Sequence, residues 1–250
     1  SRTLSNPNPH IPLQNHNGLD SGVQDMFGSA VSISGTRVVV CTRSSDWLHD
    51  PILDVISGRA YVFDLALANP YVPVFSLTTP GPEFPRNFGF AAAISGTRLV
   101  IGTPAATSDG GGAYVYDLAG ATPTVPVVIL TDPVSPTTDQ AFGSAVAFSG
   151  TRVVVGAAFD DAGADSSGTA YVFDVTSGTP TVPVVTLNNP SPEAGDFFGT
   201  SVAISGTKVA AGTPNDDTGT ENAGSAYVYE LTSGTPAVPA ATLSDLSPAS

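Results

Sequence analysis

The chain has 250 residues and 25.2 kDa, and it sets 22 Asp and Glu against 8 Lys and Arg, a formal net charge of −14. A surface that negative repels phosphate backbones and anionic headgroups, which argues against nucleic acid or membrane insertion among its partners. With 41% hydrophobic and 12% charged residues the chain has material for a core, and its 26 Gly and 22 Pro favour short strands in tight turns over long helices. The expected class is all-β. The single cysteine, Cys41, excludes an intrachain disulfide, a cysteine-based zinc cluster or a redox pair. No apolar run of about 18 residues appears. Ser1 does not open a signal peptide, so any targeting segment is expected to have been removed or left out.

In chain order, residues 1–26 form a leader, rich at first in Pro and Asn, that holds His10 and His16. Its Thr3-Leu4-Ser5-Asn6-Pro7 copies a segment that later closes every unit. From Phe27 a unit begins that occurs four times: FGSAVSISGTRVVVC at Phe27, FGFAAAISGTRLVIG at Phe88, FGSAVAFSGTRVVVG at Phe142 and FGTSVAISGTKVAAG at Phe198, at spacings of 61, 54 and 56 residues. AYVFDL, AYVYDL, AYVFDV and AYVYEL follow at Ala60, Ala113, Ala170 and Ala226, and each unit closes on a proline-containing stretch at Pro73, Pro126, Pro183 or Pro239. Self-similarity at this period signals blades, solenoid turns or tandem domains.

Each unit reads as four strands. In the first, Phe142, Ser144, Val146 and Phe148 share one face and Gly143, Ala145, Ala147 and Ser149 the other, a bulky face against a small one. That fits a sheet packed on both sides by neighbouring sheets. The recurring Ser-Gly supplies positive φ for a hairpin into the second strand, which is apolar nearly throughout. The third strand is the AYVFD block, and the proline marks the fourth as an outer edge. The fold expected is a β-propeller of four-stranded antiparallel blades, at about 27–80, 81–133, 134–190 and 191–246. Four such units make a closed ring of four blades or an open arc completed by another chain. A six- or seven-bladed ring would need roughly 330 to 400 residues. A basic residue opens every second strand (Arg37, Arg98, Arg152, Lys208) and an acidic one ends every third (Asp64, Asp117, Asp174, Glu230), so four equivalent ion pairs are expected within the blades.

These units resemble FG-GAP repeats, the group that includes the integrin α-subunit propeller and many secreted bacterial proteins. The FG pairs are Phe27-Gly28, Phe88-Gly89, Phe142-Gly143 and Phe198-Gly199. The later part of the motif stands as Gly102-Thr103-Pro104 and Gly212-Thr213-Pro214, is altered at Gly156-Ala157-Ala158 and is lost at Cys41-Thr42-Arg43. Calcium-binding members carry a D-x-D-x-D-G-like loop between the first two strands. Here a bare Ser-Gly-Thr turn replaces it, so calcium at that place is not implied.

Acidic residues gather instead between strands two and three: Asp160, Asp161 and Asp165 in the third unit, Asp216, Asp217 and Glu221 in the fourth. Hard oxygen ligands spaced by glycine suit calcium, and the competing reading is a solvated acidic turn. The second unit, with Asp109 alone in that loop, cannot build such a site. The same loop is longest in the first unit, with 18 residues between Cys41 and Ala60 against 10, 13 and 13 in the others, and it holds Trp47 and Leu48. It reads as a small satellite core or a contact surface.

No nucleophilic triad, G-x-S-x-G or H-E-x-x-H pattern occurs, so a non-catalytic role is expected. The expectation is an extracellular or cell-surface structural or adhesive module, acting through Trp47 and Leu48, through Thr3 and Leu4, or by self-association with copies of itself. A glycan-binding, lectin-like propeller or one with an extracellular protein ligand is the alternative. The leader's Thr3-Leu4 segment is a surplus fourth strand. It is either donated to a neighbouring molecule or the remnant of a preceding blade.

Overall fold

A computed structural model of the chain describes residues 3–7, 26–43, 58–80, 87–104, 111–134, 141–217 and 223–244. Among them are sixteen strands and no helix. The first sheet holds β1 (Val31–Ser34), β2 (Arg37–Thr42), β3 (Arg59–Asp64) and β4 (Phe75–Leu77), and the second β5 (Ala91–Ser95), β6 (Arg98–Thr103), β7 (Gly112–Asp117) and β8 (Val128–Leu130). The third holds β9 (Phe142–Ser149), β10 (Arg152–Ala157), β11 (Thr169–Asp174) and β12 (Val185–Asn188), and the fourth β13 (Ser201–Ser205), β14 (Lys208–Thr213), β15 (Ser225–Glu230) and β16 (Ala241–Ser244). Every sheet is an antiparallel meander in sequence order. The first strands β1, β5, β9 and β13 stand side by side, but β13 does not pack onto β1. The four blades therefore form an open arc.

Ser34 faces Arg37, Ser95 faces Arg98, Ser149 faces Arg152 and Ser205 faces Lys208, leaving Gly-Thr as a two-residue turn each time. The glycines take φ of 59°, 62°, 62° and 60°, the first central position of a type II′ hairpin. The prolines lie just ahead of the fourth strands rather than inside them. The residue after each one, such as Val184, donates its N–H to the third strand, at 2.7 Å from the Val172 carbonyl. A proline at that point gives up no ladder bond.

The two-faced pattern resolves into three cores between successive blades. The small face of one blade meets the aromatic face of the next. Val39, Cys41, Ala60, Val62 and Leu77 lie against Phe88, Ile94, Leu99, Ile101, Tyr114 and Tyr116. Val100, Ala113, Val115 and Leu130 take the same places against Phe142, Phe148, Val153, Val155, Tyr171 and Phe173. Val154, Ala170, Val172 and Leu187 repeat them against Phe198, Val209, Ala211, Tyr227 and Tyr229.

At each junction backbone touches backbone through glycine. A Cβ on Gly102 would lie 2.1 Å from the Gly143 carbonyl oxygen, and one on Gly156 2.0 Å from that of Gly199. Gly143 and Gly199 are themselves pressed onto the preceding blade, where a Cβ would meet the Gly112 and Thr169 carbonyls at 2.3 and 2.5 Å. The residue before each FG glycine pair's Phe (Met26, Asn87, Ala141, Phe197) is held at positive φ in all four units, a strained turn that only firm packing sustains. Serine hydroxyls tie the inner ends. Gly96 and Gly206 donate their N–H to Ser34 and Ser149 Oγ of the preceding blade at 3.0 and 3.1 Å.

The acid–base pairs are in register in all four blades, with Arg37, Arg98, Arg152 and Lys208 opposite Asp64, Asp117, Asp174 and Glu230. Only Lys208 and Glu230 close to an ion pair, at 2.7 Å. The expectation of four equivalent pairs is corrected to one. The aspartates are turned instead onto the following turn, where Asp64, Asp117 and Asp174 Oδ1 each accept a backbone N–H at 3.0 Å. Glu230 is one methylene longer, so it caps Thr232 with one oxygen and meets Lys208 with the other.

Gly156→Ala is expected to lower the unfolding free energy by about 1–3 kcal/mol or more, since the carbonyl it meets is backbone and cannot swing away. Gly178→Ala, in an exposed turn with nothing within 4 Å, should change it by less than about 0.5 kcal/mol in the same urea titration. Lys208, Thr207 and Thr232 hold the Glu230 carboxyl down at about 2, against an ordinary 4.5. A depressed carboxyl stabilises above its unfolded value and loses that contribution as pH falls. The stability difference between wild type and Glu230→Gln should therefore shrink from about pH 4.5 and vanish near pH 2.

Candidate functional site

The acidic loops of the third and fourth units are the first candidate, and each buries one aspartate, Asp160 or Asp216, while Asp161 and Asp165 stay exposed. Asp160 is 6% exposed and its Oδ2 accepts the Tyr171 hydroxyl at 2.5 Å, while its carbonyl accepts the Gly168 N–H at 2.8 Å. Asp216, 2% exposed, does the same with the Tyr227 hydroxyl and the Gly224 N–H. Each aspartate thus staples the ends of its loop to the third strand beneath. Asp161 Oδ1 caps the Ser166 N–H at 2.9 Å, and Asp165 accepts the Ser166 hydroxyl with its carboxylate and the Gly195 N–H with its carbonyl. The last bond, with Phe198 N–H to Ser167 O at 2.9 Å, fastens the loop to the next blade.

These carboxylates point to different partners, and among the described residues no three His, Cys, Asp or Glu side chains gather in a way that could hold a metal. Asp217 is half-buried. Glu221 lies outside the described residues, as do Trp47, Leu48 and the three histidines.

Two buried acids carried no sequence signal of their own. Asp196, 2% exposed, accepts Asn189 Nδ2 and the Glu193 N–H, both at 2.7 Å, and its carbonyl takes the Thr213 hydroxyl at 2.9 Å. Asp132, 1% exposed, caps the Val134 N–H at 2.8 Å. Burial raises the Asp160 and Asp196 carboxyls above the usual range, and neighbouring Asp132 and Asp161 add to it at Asp160, Asp216 and Asp217 at Asp196. Cys41 is buried between the first two blades and its thiol is pushed up to about 12, which keeps it unreactive.

The second candidate is the pair of faces at the ends of the arc. The fourth blade's small face has no following blade among the described residues. Ala210, Ala226 and Val228 are only half-buried, and Leu243 is 60% exposed where Leu77, Leu130 and Leu187 are at 1%, 0% and 0%. The first blade's bulky face lies open at its inner strand, with Val31 and Ile33 exposed to 65% and 63%. Farther out, Leu4 packs on Val40, Tyr61 and Phe63 beside Phe27 and Val38. It stands where the fourth-strand leucine of a preceding blade stands at the other junctions. Thr3 is exposed.

A comparison with family models matches residues 132–173 and 186–229 to the FG-GAP repeat. The third and fourth units are FG-GAP repeats. FG-GAP propellers are generally non-catalytic, and the repeats are typical of extracellular or surface proteins. The FG glycines of the two matched units, Gly143 and Gly199, are those pressed against the preceding blade. The first two units carry the same FG pairs at the same places in their blades. A search of curated proteins finds no match to the chain.

Because the folded state raises Asp160, its contribution is most favourable below the ordinary 3.8 and is lost as pH rises through the folded value. Asp160→Asn should therefore hold or gain stability at pH 7 and lose that advantage toward pH 3. Tyr171→Phe, which leaves a buried carboxylate without its donor, should cost about 1–3 kcal/mol in urea unfolding at pH 7. Asp160→Asn also tests calcium: an ion held by these loops would raise the melting temperature of wild type in millimolar calcium, and the substitution would reduce the rise.

Proposed function

We propose that the chain is a non-catalytic extracellular structural or adhesive module that works by joining copies of itself end to end. One observation supports the reading: the arc ends in an open small face and in a bulky face that is open at its inner strand, the two halves of the junction already made three times between its blades. A surface of 65%-, 63%- and 60%-exposed Val31, Ile33 and Leu243, placed at opposite ends of one molecule, is what head-to-tail assembly needs. The net charge of −14 sets copies against each other at long range, so salt should favour their association.

Sedimentation velocity across a wide concentration range tests the reading. Species larger than 25.2 kDa should grow with concentration and with added sodium chloride. A single monomeric boundary under all those conditions would rule it out.

A further inference from the structure

We infer that the partner is a second copy of this chain, whose first blade seats its bulky face on the small face of the fourth blade in the register used between consecutive blades. The inference rests on the self-association proposed above and specifies the surface that carries it.

The correspondence runs residue by residue. On the small face, Ala210, Gly212, Ala226, Val228 and Leu243 hold the places of Val154, Gly156, Ala170, Val172 and Leu187. On the bulky face, Val31 and Ile33 hold those of Val202 and Ile204, which lie against the third blade. The glycines agree. Gly156 and Gly199 are locked together, whereas the atoms nearest to a Cβ on Gly212 belong to Ser201 of its own blade, and one on Gly28 would meet nothing within 4 Å. Both end positions keep the glycine that close backbone approach requires, yet among the described residues no backbone of another blade lies against them.

The inner hairpins agree as well. Gly206 donates to Ser149 Oγ at 3.1 Å across the third junction, and the matching pair at the ends of the arc is Ser205 on one copy and Gly35 on the other. The surfaces joined are different ones, so the contact is heterologous and repeats. It makes a ring if the rotation closes and a filament if it does not.

Leu4 sets the strength of this contact. On the second copy it already covers the outer half of the first blade's bulky face, on Tyr61 and Phe63, which is where Leu243 of the first copy would arrive. The first copy must displace residues 3–7 of the second to seat fully. Leu4→Ser should therefore tighten association, because the native occupant of the outer half is weakened.

The two lysine variants use exposed positions, so their folding is not at stake. Leu243→Lys and Ile33→Lys both reduce the net negative charge, which by itself favours association, so any loss reports the blocked face. Each variant should weaken self-association about tenfold or more by sedimentation equilibrium with an unchanged melting temperature. Each retains one good end, so an equimolar mixture of the two should form a one-to-one dimer and nothing larger. Gly212→Val, which fills the backbone contact, should act like Leu243→Lys. If wild type assembles but all three variants assemble equally well, this docking register is wrong and the self-association reading stands. If wild type stays monomeric, both fall. Assembly of the mixture beyond a dimer also overturns the register.

Discussion

Backbone pressed on backbone at the glycines between blades is the constraint on which the rest of the structure depends. Gly156 and Gly199 leave no room for a Cβ on either side, so consecutive sheets meet at main-chain distance near the propeller's inner edge. Phe198 and Tyr227 can then fill the space just outside it, their rings 6.0 Å apart, with Leu187 closing the outer rim. The small residues of one face and the aromatic residues of the other follow from that unequal approach. So does the strained turn ahead of each FG pair, since the glycine reaches its neighbour only if the residue before Phe adopts positive φ. At the first junction Cys41 replaces the second glycine, and its Cβ lies 3.1 Å from where one would stand on Gly89. A small thiol sealed at the junction is thus a packing residue.

The polar residues serve the same end. Asp160 and Asp216 are buried acids in an acidic protein, at a cost in desolvation that the tyrosine hydroxyls offset by charge-assisted hydrogen bonds. What they gain is a fixed loop whose main chain bonds to the next blade, at Asp165 O and Ser167 O. The loop between strands two and three is therefore part of the junction in the third unit, with Asp160 turned inward and Asp161 and Asp165 at the surface. In the sequence the first two units have Ser45 and Ala106 at the positions that correspond to Asp160 and Asp216.

Much of this was legible in the sequence because it repeats. Four copies in register gave the strands, the Ser-Gly hairpins, the two-faced inner strand and the order of the meander, and the resemblance to FG-GAP repeats gave the propeller. Single-residue geometry was less legible. Arg37 and Asp64 sit opposite each other as their positions imply, yet whether the aspartate reaches across the ladder or back to the turn depends on one methylene, which separates it from Glu230. Asp196 was passed over because a lone acid ahead of Phe197 looks like any loop residue, and only the folded chain brings Asn189 and Thr213 to it. Spacing shows which of the clustered acids are near in sequence and not which way they point, so the burial of Asp160 and Asp216 beside the exposure of Asp161 and Asp165 was not legible. An open arc is one of the two outcomes that four units allow, and which of them holds was not legible. Sequence shows that Leu243 matches Leu187, but exposure belongs to the arc.

Native-state hydrogen exchange of the intact chain at low and high concentration tests most directly whether the end faces are unfinished junctions. At low concentration β10 and β11, covered on both faces, should exchange most slowly, with β14 and β15 faster than their counterparts despite identical pairing. At high concentration the amides of β1, β2, β14 and β15 should slow together while those of β6, β7, β10 and β11 stay unchanged. Equal protection of β10 and β14 at every concentration would contradict the account.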